Sequence, residues 1–184
     1  MNMVAAAIAL QIFLLAYHQT MTLLDFFPFN GARFYSRGER IGEAGVNLIL
    51  MSLPPIGFLL RVTWMMEFGA AYYFVLLAVE IATWWVPYFF RTSAKNREVY
   101  SRIHARTVQV VPKRGENPRP NLEHLILMCL TLVTAIATSM AYRVIFVAPF
   151  QHWLAAMIVG AAMVGGTVYQ FSLAGRGKPV ETKV

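Results

Sequence analysis

"LEHLILMCLTLVTAIATSMAYRVIF", residues 122–146, decides the fold. From Leu125 to Tyr142 it carries no acidic or basic side chain. A run of this length is close to the roughly 20 residues that cross about 30 Å of hydrocarbon. Soluble core helices alternate an apolar stripe with a charged one, and this run does not. It reads as a membrane span. Working outward, four more blocks have the same character: Val4–Leu24, Val46–Met66, Gly69–Phe90 and Phe150–Leu173. The composition agrees, with 58% hydrophobic and 14% charged residues in 184. The fold class expected is all-α, one domain over residues 1–173 built as a bundle of five transmembrane helices. Residues 174–184 have no apolar content to bury and are expected to form a disordered tail.

The net charge of +7 is a topology signal. Eight basic residues, including Arg97, Arg102, Arg106, Lys113 and Arg114, fall in the loop 91–121. Arg33, Arg37 and Arg40 lie between the first two spans, and Arg176, Lys178 and Lys183 lie in the tail. With five spans, fourteen basic residues share one side and only Arg61 and Arg143 fall on the other. Basic loops stay cytoplasmic, so the N-terminus is expected outside and the C-terminus inside. A bacterial cytoplasmic membrane is the expected location, with the bilayer rather than nucleic acid as the partner of this charge. The five loop residues just named are candidates for anionic lipid headgroups. "MNMVAAAIALQIFLL" has no basic residue before its apolar run, so an uncleaved first span is expected. Cys129 is the only cysteine, which excludes disulfides and dithiol relays within one chain.

Short turns are expected at Glu67-Phe68 and at "VAPFQ", 147–151. Pro54-Pro55 should kink or break the second span, because proline removes a backbone donor and clashes with the preceding turn. Residues 92–109 have helical potential, "PKRGENPRPN" is turn-rich, and Asn121 resembles a helix cap with Glu123 in the first turn. In the fifth span Ala156, Gly160, Ala161, Ala162, Gly165 and Gly166 give small-xxx-small spacings that suit close helix packing, within the chain or in a homodimer.

Projection at 100° per residue aligns Gln11, His18, Thr22 and Asp25 in the first span, and Glu43, Asn47, Pro54, Gly57 and Arg61 in the second. It aligns Gly69, Tyr73, Glu80, Trp84, Pro87 and Arg91 in the third, and His124, Thr131, Ala135, Thr138 and Tyr142 in the fourth. Four such stripes point to a polar interior. Glu80 lies about 15 Å from the inner surface by helical rise, near mid-bilayer, where a carboxyl group must be protonated or paired. His18, His124, Glu43 and Asp25 are expected near the cytoplasmic mouth, where His18 and His124 are the residues to consider for a metal ion or haem. No spacing such as HExxH names a cofactor, and His104 and His152 have no evident partner. Residues 18–47 pack too many polar groups for a simple turn, and are expected to form a rim over that mouth. There Phe26, Phe27, Phe29, Phe34 and Tyr35 would sit at headgroup depth, with Glu39, Arg40 and Glu43 pairing among themselves.

Three functions fit these residues. One is a small ion- or proton-coupled transporter using Glu80. Another is a membrane-embedded enzyme acting on a lipid or isoprenoid through His18, Asp25, Glu43 and His124. The third is a non-catalytic subunit of a membrane complex.

Overall fold

The computed structural model describes residues 2–90 and 92–146. The expected fifth span, the turn at 147–151, the tail, Arg91 and His152 lie outside the described residues. Within them the chain is helical, with no strand beyond one isolated bridge between Gln109 and Asn121. Four helices are long and apolar enough to cross a membrane: α1 (Met3–Leu23), α2 (Arg37–Leu60), α3 (Thr63–Phe89) and α5 (Leu122–Phe146). Between the last two lies a short polar helix, α4 (Ala94–Ile103).

The spanning helices close a ring: α1 packs on α2 and α5, and α3 packs on the same two. Two layers of core run across that ring. Leu14, Met51, Tyr73 and Ala135 form one, while Ala7, Phe58, Met66, Ala141 and Tyr142 form the other. All four helices contribute to each. Ile12, Phe13, Ile49, Leu59, Leu60, Leu132 and Val133 point outward and are exposed, which suits surfaces that face hydrocarbon.

Two boundaries differ from expectation. α2 starts at Arg37, nine residues before the apolar block, because Ser36 and Glu39 form a reciprocal capping box. Capping satisfies orphan N–H groups irrespective of hydropathy. The next turn falls at Arg61-Val62, not at Glu67-Phe68. Arg61 takes a left-handed conformation (φ 56°), and Val62 donates its N–H to Gly57 at 2.9 Å. Glu67 is therefore already inside α3, where it accepts a hydrogen bond from Tyr142 at 3.1 Å. Gly57 lets the hairpin close, since a Cβ there would collide with that of Met65.

Pro54 and Pro55 do not break α2, which runs through both. Pro54 instead fills the space left by Gly69, whose added Cβ would come within 2.7 Å of the proline Cβ. α3 departs from regular geometry elsewhere. Thr63–Glu80 is α-helical, Ile81–Trp85 is a π-turn, and Val86–Phe89 resumes the α-helix. Pro87 explains the change, because its ring would clash with the carbonyl four residues earlier and widening the preceding turn relieves it.

One end of the ring is capped by two segments. Residues 24–36 cross it first, anchored by buried Asn30. The Asn30 amide donates to the carbonyls of Met21 (2.8 Å) and Leu24 (2.7 Å) and accepts from Phe26 N–H (2.9 Å). Residues 92–121 close over these, with Val108 N–H donating to Pro28 carbonyl at 2.9 Å and Gly31 packed against Ile103. The turn-rich stretch 112–121 has no helix, makes one turn at Gly115-Glu116, and is pinned: Asn117 donates to Tyr88 carbonyl at 3.1 Å. Arg33, Arg37, Arg40 and the basic residues of 92–121 thus share the capped end.

Candidate functional site

The capped end gathers three histidines from distant parts of the chain. His124, in the first turn of α5, lies against Trp84 with the rings tilted by 36° and 3.6 Å between centroids. Trp84 meets His104 edge-on at 4.6 Å, and the two histidine rings are 5.3 Å apart. Trp84 reaches both because it sits in the π-turn. A straight projection past Glu80 does not follow that shift.

The surrounding hydrogen bonds orient the rings. Asn121 caps α5 by accepting from the backbone N–H of His124 at 3.1 Å, and the same oxygen lies against His124 Nδ1. The Asn121 amide nitrogen donates to Thr107 at 3.0 Å, so its oxygen must be the one facing the histidine. Donation from Nδ1–H leaves Nε2 of a neutral His124 as the lone-pair nitrogen. His104 Nε2 is 3.0 Å from the Tyr35 hydroxyl, while its Nδ1 is buried without a partner among the described residues. Burial pushes His104 down to about 4, which keeps it neutral near pH 7. Burial also raises the Tyr35 phenol, with the Glu43, Glu123 and Glu39 carboxylates adding to it.

Two carboxylates approach the same place. Glu43 Oε1 is 3.8 Å from His18 Nε2, and Glu123 Oε2 is 3.9 Å from His124 Nδ1. Both distances exceed a hydrogen bond. Glu43, Glu123, His104, His124, Tyr35 and Arg40 line a cavity of about 40 Å³ beneath the crossing loop, enough for a few waters.

The sequence candidates separate into groups. His18 approaches Glu43, and Glu43 lines the cavity with His124. Asp25 does not join them: it is exposed and bound by Arg33 Nε and Nη2, each at 2.9 Å. That guanidinium holds the Asp25 carboxyl below its usual range. Asn47 donates to the Glu43 carbonyl of its own helix at 3.0 Å and stays outside the cluster. Glu39, Arg40 and Glu43 do not pair among themselves. Glu39 caps α2, and Arg40 donates to the Leu23 carbonyl at 3.1 Å. Tyr35 turns inward instead of sitting with Phe26 and Phe27, and His104 gains the partner that the sequence did not reveal. Glu123 and Tyr35 carried only capping and interfacial signals, so nothing in the sequence assigned them here. Among the described residues no group of three or more His, Cys, Asp or Glu is arranged to hold a metal ion.

Glu80 stands apart, in the interior of the ring. Thr131 donates to its Oε1 at 2.8 Å, while Oε2 is buried with no partner among the described residues. One layer away, Gln11 donates to Thr138 at 2.8 Å. The four residues Thr131, Ala135, Thr138 and Tyr142 of the α5 stripe are all buried, as is the Gln11–His18 face of α1.

Of the basic candidates, Arg97 donates to the Thr92 carbonyl at 2.7 Å, Lys113 lies 3.5 Å from Glu116, and Arg114 sits over the Phe89 ring at 5.7 Å. Arg102 and Arg106 are exposed. No protein family, curated protein or solved structure matches this chain.

Proposed function

We propose that the protein is a small proton-coupled carrier of the bacterial cytoplasmic membrane, with five spanning helices, the N-terminus outside and the capped end in the cytoplasm. The segregation of basic residues to that end supports the orientation. The observation that carries the function is Glu80: a buried carboxyl group with one oxygen bonded to Thr131 and the other without a partner among the described residues, next to a π-turn. Intramembrane carboxyl groups mark ion and proton pathways, and π-turns gather at functional positions. A proton arriving through the His–Glu cavity at the capped end would be exchanged at Glu80.

The test is proton uptake into proteoliposomes loaded with a pH-sensitive dye. Glu80→Gln keeps an oxygen for Thr131 to donate to but cannot bind a proton reversibly. The expected result is loss of flux with the protein still folded. Flux equal to that of the unaltered chain would overturn the reading.

A second reading, a membrane-embedded enzyme acting on a lipid or isoprenoid, is favoured by the capped cavity. There the His124 Nε2 lone pair is available to accept a proton, and Tyr35–His104 forms a donor–acceptor pair. In that case His124→Gln abolishes turnover of a supplied lipid substrate while Glu80→Gln does not.

A further inference from the structure

Two cavities flank Tyr100 on α4; the first borders the His–Glu cluster through Trp84 and His104, and the second lies apart from it. The first, about 320 Å³, lies between the π-turn region of α3 and α4. Thr83, Trp84, Pro87, Val99 and Pro118 make most of its wall, with Asn96 and His104 completing it. Thr83 is exposed on α3, as is Val79 one turn earlier. The slot therefore meets the outward face of a spanning helix at the end nearest the basic loop. The second cavity, about 590 Å³, lies on the other side of Tyr100, with Arg97, Lys113 and Arg119 in its wall beside Glu98 and Glu116. Arg97 gives one N–H to the Thr92 carbonyl, which fixes its guanidinium and leaves other donors of the fork free. Asn117 and Ser101 add neutral polar groups.

A largely apolar slot beside a spanning helix, next to a pocket whose three cations outnumber its two carboxylates, matches the two halves of a charged lipid. Basic side chains at this depth attract anionic headgroups, and Arg is suited to the paired oxygens of a phosphate. We propose that this site takes one anionic amphiphile with a phosphomonoester headgroup from the adjoining leaflet. The phosphate lies among Arg97, Lys113 and Arg119, and the first chain segment lies in the slot against Trp84 and Val99. The site does not depend on proton transfer at Glu80.

Tryptophan fluorescence supplies the readout, with Trp84 the tryptophan in the slot wall. The full chain is placed in phosphatidylcholine nanodiscs containing a minor fraction of either phosphatidic acid or phosphatidylcholine with brominated chains, and tryptophan quenching is compared. Excess quenching by the brominated phosphatidic acid is expected. Each basic residue near the surface is worth about five-fold in affinity, so Arg97→Gln/Lys113→Gln/Arg119→Gln weakens the excess on the order of 100-fold. Arg61→Gln/Arg143→Gln, outside the capped end, leaves it unchanged, as does Glu80→Gln. Should the triple variant fail to fold, Val99→Phe, which narrows the slot without altering charge, is expected to remove the excess. Equal quenching by the two lipids, or an excess that survives in a folded triple variant or in Val99→Phe, overturns the proposal. So does loss of the excess on adding inorganic phosphate, which identifies a site for free phosphate instead.

Discussion

Away from the capped end, polar side chains cross helix interfaces as isolated pairs: Gln11 meets Thr138, Glu80 meets Thr131, and Tyr142 meets Glu67. At the capped end, Asn30, Asn121, Tyr35, His104 and Gln109 each join a web drawn from separate segments. Gln109, for example, accepts from Tyr100 at 2.9 Å and donates to the His104 carbonyl at 2.7 Å. The middle is held by helix packing, with isolated pairs fixing which faces meet. The end has irregular backbone, so side chains must satisfy the carbonyls and amides that no helix does. Removing one polar group should therefore disturb the end more than the middle.

The largest effect expected at the capped end is its response to acid. His104 packs against Tyr35, Tyr100, Trp84 and His124, and burial brings it down from 6.5 to about 4. Between these values the unfolded chain binds more protons than the folded one, so stability falls as pH falls. The contribution is intact above about pH 6.5 and is lost progressively toward pH 4, amounting to about 3 kcal/mol. Denaturation in detergent across that range is expected to show the slope, and His104→Gln to flatten this share of it. A slope unchanged by the substitution would mean that the acid response arises elsewhere.

Packing in the middle gives the next test. Gly69→Ala places a methyl group 2.7 Å from Pro54 Cβ, and the proline ring cannot rotate away. Overpacking of this kind costs about 1–3 kcal/mol, measurable as a lowered thermal midpoint. Gly42→Ala, where the added Cβ meets nothing within 4 Å, is the control and should not lower it. Asn30→Ala brings the comparison back to the end. It leaves the Phe26 N–H and the Met21 and Leu24 carbonyls without their side-chain partner, for about 1–3 kcal/mol. Limited proteolysis within 24–36 should accelerate along with the loss of stability.

The same division explains how much could be read from sequence. Spans declare themselves by hydropathy, and the α5 stripe by its period. Thr131, Ala135, Thr138 and Tyr142 are buried because a regular helix carries the 100° projection unchanged from residue to residue. Glu80 was visible for the same reason, as a carboxyl group in an apolar run. The Tyr35–His104 contact joins residues 69 positions apart through irregular backbone, and no period relates them. Trp84 was placed on the right helix, but its ring partners depend on the π-turn. The start of α2 was written in Ser36 and Glu39, where an apolar block gives no warning. Arg61 looked like a single charge in a longer run, and only its left-handed backbone marks the turn.

The smallest expected effect separates the two regions most cleanly. Gln11 donates to Thr138, but its own Oε1 is buried with no partner among the described residues. Thr138→Val alone retains the shape of the side chain while leaving the Gln11 amide with nothing to donate to, at a cost of about 1–3 kcal/mol. Replacing both partners, Gln11→Met with Thr138→Val, removes the buried amide together with its orphaned oxygen. The double variant is expected to return to within about 1 kcal/mol of the original, since an apolar pair of similar shape can substitute for a buried hydrogen bond. A double-mutant cycle followed by thermal denaturation in detergent measures this. Recovery would identify the pair as a local fixture of helix packing. A double variant as weak as Thr138→Val would instead tie Gln11 to a wider polar network, and the middle of the bundle would then be built like its end.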